Sequence, residues 1–365
     1  MLKVGILVPY VKNEITLAAT QLADWLVRCG INVSLISNKR IESGIHDYWD
    51  SRVKRARKHA VYKWAYGSTH LCWFDSDIPA LKASRLVTND EPRARTKMLF
   101  LPNWKKWNKH DDHFLMQADR VISLNRDLAL WLNKHRPVDD LQLVTRTYAN
   151  MPPPASILIP KKGVSRPDEL KLLVLIPKDT PMDIDDGFVY VLEDSLLALL
   201  DLKLKIRSER SLPAGYRTKI NRMKKIHLGR VEYQPSLPYS SYLHEVRKHD
   251  WVYVANTRHI FGTLVSQLLE STVPIIAHDV PPIGCQLNDK INSRLIPCNL
   301  LESPYPIADV DLDQVATHLI QFLYDTKMYI QGIQRTGFEL LSHRQNTFEK
   351  FIYREFVDYT APGVN

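Results

Sequence analysis

Short apolar runs alternate with amphipathic stretches along most of this chain. Leu2 to Val8 is an apolar strand pattern, and Thr16 to Arg28 sets Leu17, Leu22, Trp25 and Leu26 at helical spacing before Gly30 closes the helix. Ile31 to Ile36 is apolar again, so the chain opens as a βαβ unit. Asp50 to Tyr66 contains no helix breaker and predicts a helix whose basic residues wrap more than one face. Leu71 to Phe74, Lys97 to Leu101 and Arg120 to Leu124 predict strands, Arg126 to His135 a helix, and Leu141 to Thr145 the last strand of this half. Tyr148 to Pro154 ends the half, and the proline- and lysine-containing stretch up to Pro167 reads as a linker. A second series starts at the strand Leu170 to Ile176 and passes through a helix from Phe188 to Leu200, a strand from Lys203 to Ser208 and a basic segment from Pro213 to Met223. Asp313 to Tyr324 is amphipathic, and Asn346 to Tyr359 spaces Phe348, Phe351, Ile352, Phe356 and Val357 as a final helix.

The stretch from Asp250 to Asp279 repeats the plan most clearly. Trp251 to Ala255 is a buried strand pattern, Phe261-Gly262 a tight turn, Thr263 to Glu270 a helix with Leu264, Val265, Leu268 and Leu269 on one face, and Val273 to Ala277 a second strand. In such a unit the turn lies at the carboxyl edge of a parallel sheet, where unpaired N–H groups attract anions. Gly262 lets a ligand approach the main chain, and Arg258, His259, Thr263 and Gln267 flank the same mouth. An ordinary crossover with a permissive glycine fits the same spacing.

Length and composition set bounds. A chain of 365 residues is comfortable for two cores, and 45% hydrophobic with 24% charged residues is ordinary for a globular protein. No apolar run is long enough to span a membrane, and MLKVGILVPY enters a strand without a signal peptide, so a cytoplasmic location is expected, that of the host if the source is viral. Cys29, Cys72, Cys285 and Cys298 are scattered, which argues against a disulfide framework and a zinc site; no metal is assigned. The net charge of +9 falls entirely in the first half: residues 1–150 hold 24 Lys and Arg against 15 Asp and Glu, and the rest hold 25 against 25. A half with this balance attracts a polyanion, nucleic acid or an anionic membrane face, unless it is simply a solvated basic surface. Arg52, Arg55 and Lys58 belong to the basic stretch, and Trp104, Lys105, Lys106, Trp107 and Lys109 interleave aromatics with cations, a pattern suited to stacking on bases beside phosphates or to a membrane interface.

The 250–279 stretch resembles the donor-binding segment of GT-B glycosyltransferases of the large retaining family-4 type. Asp250, Phe261, Gly262, Pro274 and Ile276 fall in register with that pattern, while His259 and Gln267 stand where the family has glutamates. An imidazole and an amide can still hydrogen-bond sugar hydroxyls, without a fixed negative charge. In element order the resemblance covers nearly the whole chain. It departs after the first strand, where Pro9 to Glu14 replaces the usual glycine-rich turn. It departs again after Ile176, where Lys178 matches one of two family cations and Asp185-Asp186-Gly187 stands near the other, so the second cation falls to Arg217, Lys219 or Arg258.

The resemblance implies an α/β fold of the GT-B type, two Rossmann-like domains facing across a cleft with a C-terminal helix crossing back to the first. Residues 1–155 would bind the acceptor, 156–167 link, 168–340 bind a nucleotide sugar donor, and 341–365 return. The implied reaction moves a sugar from a nucleotide diphosphate sugar to a hydroxyl with retention, using no cofactor and no metal, in a monomer. Donor binding is expected from Lys178, Arg217, Lys219, Arg258, Phe261, Gly262, Thr263 and Gln267, and catalysis from His259 with Asp75 and Asp77. The pair Asp75-Ser76-Asp77 follows an apolar strand, a spacing shared with the metal–nucleotide signature of the other glycosyltransferase fold, GT-A; in a GT-B frame one aspartate would orient or deprotonate the acceptor hydroxyl, and a helix-capping role for Asp77 also fits. The expected acceptor is a hydroxymethylated base in DNA, as for the base-modifying enzymes of bacteriophages, with a peripheral-membrane enzyme acting on a lipid-linked or cell-surface glycan and a non-catalytic nucleic-acid binder as alternatives.

Overall fold

A computed structural model describes residues 2–8, 10–11, 14–37, 40–55, 68–73, 97–101, 120–124, 126, 145–148, 151, 169–177, 187–208, 211–235, 242–255, 263–271, 273–281, 283–287, 289, 291–301, 308–325 and 342–357. The chain forms two compact units, Met1–Pro154 with His343–Asn365, and Ala155–Ser342.

Unit 1 is built on a seven-stranded sheet in the order β3-β2-β1-β4-β5-β6-β7, every pair parallel. Its strands are β1 (Lys3–Leu7), β2 (Asn32–Ser37), β3 (Lys54–Arg55), β4 (His70–Trp73), β5 (Lys97–Phe100), β6 (Arg120–Ser123) and β7 (Thr145–Tyr148). Helix α1 (Glu14–Arg28) buries Leu17, Leu22, Trp25 and Leu26, each worth roughly 1.5–3 kcal/mol of apolar burial. The helix stops at Gly30, whose φ of 76° closes a capping turn in which Gly30 N–H donates to Val27 and Ile31 N–H to Leu26. The terminal segment, helical over 342–352 and continued by a π-turn at Tyr353–Val357, packs on this unit as expected. Phe348 meets Trp25 edge-on at 5.3 Å, Phe356 lies 5.9 Å from the His70 ring, and the fully buried Glu355 pairs with Arg120 and Arg354.

Two expectations for unit 1 need correction. The helix expected from Asp50 to Tyr66 is instead a single turn, α2 (Asp47–Asp50), followed by the edge strand β3 against Ile36 and Ser37; positions 56–66 lie outside the described residues. The β-branched Val53 and the open edge of β2 favour an extended path over local helix propensity. The last strand runs on to Tyr148, past the expected end at Thr145, since an edge strand does not need two buried faces; positions 141–144 lie outside the described residues.

Unit 2 has a six-stranded parallel sheet in the order β10-β9-β8-β11-β12-β13. The strands are β8 (Leu170–Ile176), β9 (Leu202–Ser208), β10 (Val231–Pro235), β11 (Trp251–Val254), β12 (Ile275–His278) and β13 (Ser293–Ile296). A small antiparallel pair, β14 (Asn299–Leu300) and β15 (Ala308–Asp309), follows. Alternate residues of β8 face opposite cores. Leu172, Val174 and Ile176 join helices α3 (Gly187–Ala198), α4 (Ala214–Ile226) and α8 (Leu312–Asp325), while Leu173 and Leu175 join α5 (Tyr242–Val246), α6 (Thr263–Leu268) and α7 (Ile283–Gln286). Both faces are covered, which is why β8 and β11 read as continuous apolar runs.

Candidate functional site

Both sheets reverse their winding at the first strand, between β1 and β4 in unit 1 and between β8 and β11 in unit 2. In unit 2 the chain leaving β8 returns through α3 on one face and the chain leaving β11 returns through α6 on the other. Such a split opens a crevice beyond the carboxyl ends of the two central strands. Both stretches with candidate chemistry follow those strand ends directly: Pro177 leads into Lys178, and Ala255 leads into the segment carrying Arg258, His259, Phe261 and Gly262. In unit 1, β4 leads in the same way into Asp75 and Asp77. These seven residues lie outside the described ones, as do Lys58, Trp104, Lys105, Lys106, Trp107 and Lys109.

Thr263 and Gln267 sit four residues apart on α6, whose Leu264, Val265 and Leu268 are buried in the core. Arg217 and Lys219 lie on α4 after the carboxyl end of β9. Arg217 is exposed, and the Lys219 ammonium stands 4.8 Å over the ring of Tyr190 in the first turn of α3. Burial raises the pKa of the Tyr233 phenol, a shift opposed by the Leu212 backbone bond and then by the Arg217 charge, so this cation also acts on the β10 edge. Asp250 has a different place. It is fully buried at the amino end of β11, where its Oδ2 accepts the Lys171 N–H at 2.9 Å and its own N–H donates to the Lys171 carbonyl, stapling β11 to β8.

Sequence reading missed an ion cluster at β9. Lys203, Lys205 and Arg207 alternate with the core residues Leu202, Leu204 and Ile206. Glu245 on α5 lies 2.7 Å from Lys205, 3.3 Å from Arg207 and 3.3 Å from Lys248, and Lys205 also pairs with Glu232 at 3.1 Å. Burial pushes the Glu245 carboxyl up. The Lys205 hydrogen bond and charge, the Arg207 charge and the Lys248 bond outweigh that effect and hold its pKa at about 2. Arg207 is buried at the carboxyl end of β9, and its Nε and Nη1 have no partner among the described residues. The alternation of cations along β9 was the available signal; Glu245, the carboxylate that Lys205 and Arg207 share, is 38 or more positions away.

In unit 1 the segment after β1 is shaped by two carboxylates, Asp24 and Asp50. Tyr10 is buried, its N–H donates to Ser37 Oγ at 3.0 Å, and its hydroxyl donates to Asp50 Oδ1 at 2.8 Å. Burial, then the Asp50 bond, raises the pKa of that hydroxyl. Asp50 also accepts the N–H groups of Gly44, Ile45 and His46, so one carboxylate ties a loop to the carboxyl end of β1. Asp24 accepts the Trp49 indole N–H at 2.6 Å and lies 2.9 Å from His46 Nε2. Arg52 is exposed with its guanidinium 3.8 Å over the Tyr48 ring, and Arg55 is exposed on β3. Among the described residues no group of three or more His, Cys, Asp or Glu side chains is arranged to hold a metal ion, and no helix is long and apolar enough to cross a membrane.

No protein-family model and no curated sequence matches the chain. Among solved structures it is similar over its length to a glycosyltransferase from Rickettsia africae ESF-5, at TM-score 0.67 and 11% identity, covering 98% of this chain and 99% of the other. An α-glucosyltransferase in complex with UDP and a 13-mer DNA containing an HMU base matches at TM-score 0.62 and 11% identity over 98% and 100% of the two chains. The lipopolysaccharide outer core galactosyltransferase WaaB matches at 0.57 and 13% identity over 96% and 99%. These likenesses establish the fold as GT-B, two parallel α/β units.

Proposed function

We propose that the protein is a glycosyltransferase that moves a sugar from a nucleotide diphosphate sugar to a hydroxymethylated base in DNA, acting as a monomer in the cytoplasm. The observation that carries this reading is the pair of switch points. In each unit the fourth strand of the doubly wound sheet delivers its chain to the carboxyl edge and leads into a candidate stretch, 75–77 in unit 1 and 256–263 in unit 2. The full-length likeness to an enzyme bound to UDP and DNA supports the same assignment, as does the excess positive charge of residues 1–150.

The chemistry follows from charge. The bond from the anomeric carbon to the diphosphate oxygen breaks, the acceptor oxygen bonds that carbon, and the acceptor proton passes to a base. Lys178, together with Arg217, Lys219 or Arg258, offsets the charge of the departing diphosphate, and Phe261, Gly262 and Thr263 are assigned to the same donor site. His259 and Gln267 hold sugar hydroxyls, and Asp75 or Asp77 orients the acceptor hydroxyl and takes its proton. Retention of anomeric configuration belongs to this reading through the family-4 resemblance. A panel of radiolabelled nucleotide sugars, offered duplex DNA with and without hydroxymethylpyrimidines, tests it. Label should enter only the modified duplex; nucleotide release without any DNA requirement would sink the acceptor, and no release with any acceptor would leave a binding protein.

A second reading, transfer to a lipid-linked or cell-surface glycan, is favoured by one surface of unit 2. Leu200 and Leu228 are each 82% exposed in adjoining turns tied together by Arg230, which donates to the Leu196, Leu199 and Leu202 carbonyls. Lys224 and Lys225 are exposed beside them, a combination suited to anionic lipid. Sedimentation with anionic vesicles, abolished by Leu200→Ser with Leu228→Ser, would support this reading over the first.

A further inference from the structure

We propose that a groove at the outer edge of the seven-stranded sheet is a stacking platform for an unpaired nucleotide of the DNA substrate, a contact separate from the acceptor mouth; this rests on the DNA reading above. The groove measures about 740 Å³ and forms where, among the described residues, β3 pairs with Ile36 and Ser37 at the end of β2 and not with the start of that strand. Upstream of that pairing the chain from Ser51 to Val53 stands off Asn32 to Ser34 and leaves a slot between them. Val27 and Ile31, at and beyond the end of α1, together with Val33 and Val53, give it an apolar lining.

Tyr48 and Arg52 form one wall. Tyr48 is 44% exposed, the guanidinium lies 3.8 Å over its ring, and Arg52 Nη1 donates to the Tyr48 carbonyl at 2.8 Å, so the guanidinium is held in place over the ring. The wall is braced from behind. Trp49 is buried, meets Tyr48 edge-on at 4.9 Å, and is pinned by its indole bond to Asp24, while Asp50 fixes the loop that enters α2. A platform already fixed in this way loses little freedom when a flat ligand stacks on it.

Charge selects the occupant. Arg52 and Lys54 line the groove with exposed cationic side chains, Arg28 is exposed next to Val27, and the nearby carboxylates of Asp24 and Asp50 are engaged by Trp49, His46, Tyr10 and backbone N–H groups. A second copy of the chain would bring the same positive edge. An acidic peptide would satisfy the cations and leave the ring face unused. A nucleotide uses both, its base on this wall and its phosphate on the cations, and extruding a target base from a duplex leaves unstacked neighbours to be held.

The test uses the full chain and short single-stranded oligonucleotides carrying one 5-iodouracil, photocrosslinked and mapped by peptide mass spectrometry, with affinities by fluorescence anisotropy. Crosslinks are expected on Tyr48, Tyr48→Ala should weaken binding by about tenfold or more, and Tyr48→Phe should restore it. Arg52→Ala should lower the salt slope of binding by about one. Because both side chains are on the surface, the variants should keep the wild-type Tm, which separates lost contact from lost fold. Crosslinks confined to other residues, wild-type affinity in Tyr48→Ala, or equal competition by an acidic peptide would overturn the platform while leaving label transfer to DNA untouched. Failure of the wild-type chain to bind any of these single-stranded oligonucleotides would overturn the platform, while label transfer to hydroxymethylated duplex judges the DNA acceptor separately.

Discussion

In unit 2 the charges beside the sheet turn inward: Lys205 and Arg207 on β9 and Lys248 after α5 converge on the buried Glu245. In unit 1 the cations at the corresponding side of the sheet, Arg52, Lys54 and Arg55, face outward, and its inward carboxylates Asp24 and Asp50 bind an indole, a phenol, an imidazole and backbone N–H groups. The strand plan is shared, three strands to one side of the switch point and the rest to the other. What differs is where these particular cations act, those of β9 on a buried carboxylate of their own fold and those of the β3 edge toward solvent. Substitutions in unit 2's ion cluster should therefore be read in stability, and substitutions on unit 1's basic edge in the binding of a polyanion.

The largest effect expected from that contrast is at Glu245. Glu245→Gln leaves the buried Arg207 without its countercharge and Lys205 with only the exposed Glu232, and should cost about 3 kcal/mol, measured by denaturant unfolding. The pH dependence sharpens the point. The folded-state pKa of Glu245 is depressed to about 2, so its contribution is complete above the usual carboxylate range and is lost as pH falls from there toward about 2. The Gln variant should lack that acid limb; an unchanged pH profile would remove the cluster from the stability account.

Next comes catalysis. Lys178→Ala should lower turnover by about a hundredfold while leaving DNA affinity intact, and His259→Ala should depress turnover with the same affinity. A parallel loss of DNA binding would break the separation of roles. In unit 1, Asp50→Ala removes the acceptor of the Tyr10 hydroxyl and of three N–H groups and should cost about 2 kcal/mol by thermal unfolding. The smallest effect is expected from Lys105→Ala with Lys106→Ala, which should weaken DNA binding by about tenfold and lower the salt slope by about two, with unchanged turnover at saturating DNA.

Much of the fold was legible because the central strands are apolar on both faces: Leu170–Ile176 and Trp251–Val254 stand out in the sequence as they do in the sheet. The edges were not legible. Lys54–Arg55 and Thr145–Tyr148 carry polar residues, Val231–Pro235 offers only a brief alternation, and each is a strand because a neighbour supplies hydrogen bonds, not because its own pattern demands it. The candidate stretches could be placed along the chain, since the loop after a fourth strand can be located from periodicity, while most of their residues lie outside the described ones. Glu245, Asp24 and Asp50 escaped because their roles depend on partners brought together by tertiary packing. Asp250 matched a family motif, and the fold gives it a staple between β8 and β11 at the amino edge.

The central claim is a division of labour, with unit 2 binding the nucleotide and unit 1 the DNA, and hydrogen-exchange mass spectrometry reads both on one protein. A nucleoside diphosphate added alone should protect backbone amides within 170–178 and 254–268, and a hydroxymethylated duplex added alone should protect amides within 44–58 and 103–109. Protection of the same unit by both ligands, or of residues 44–58 by the nucleotide and 254–268 by DNA, would contradict the account.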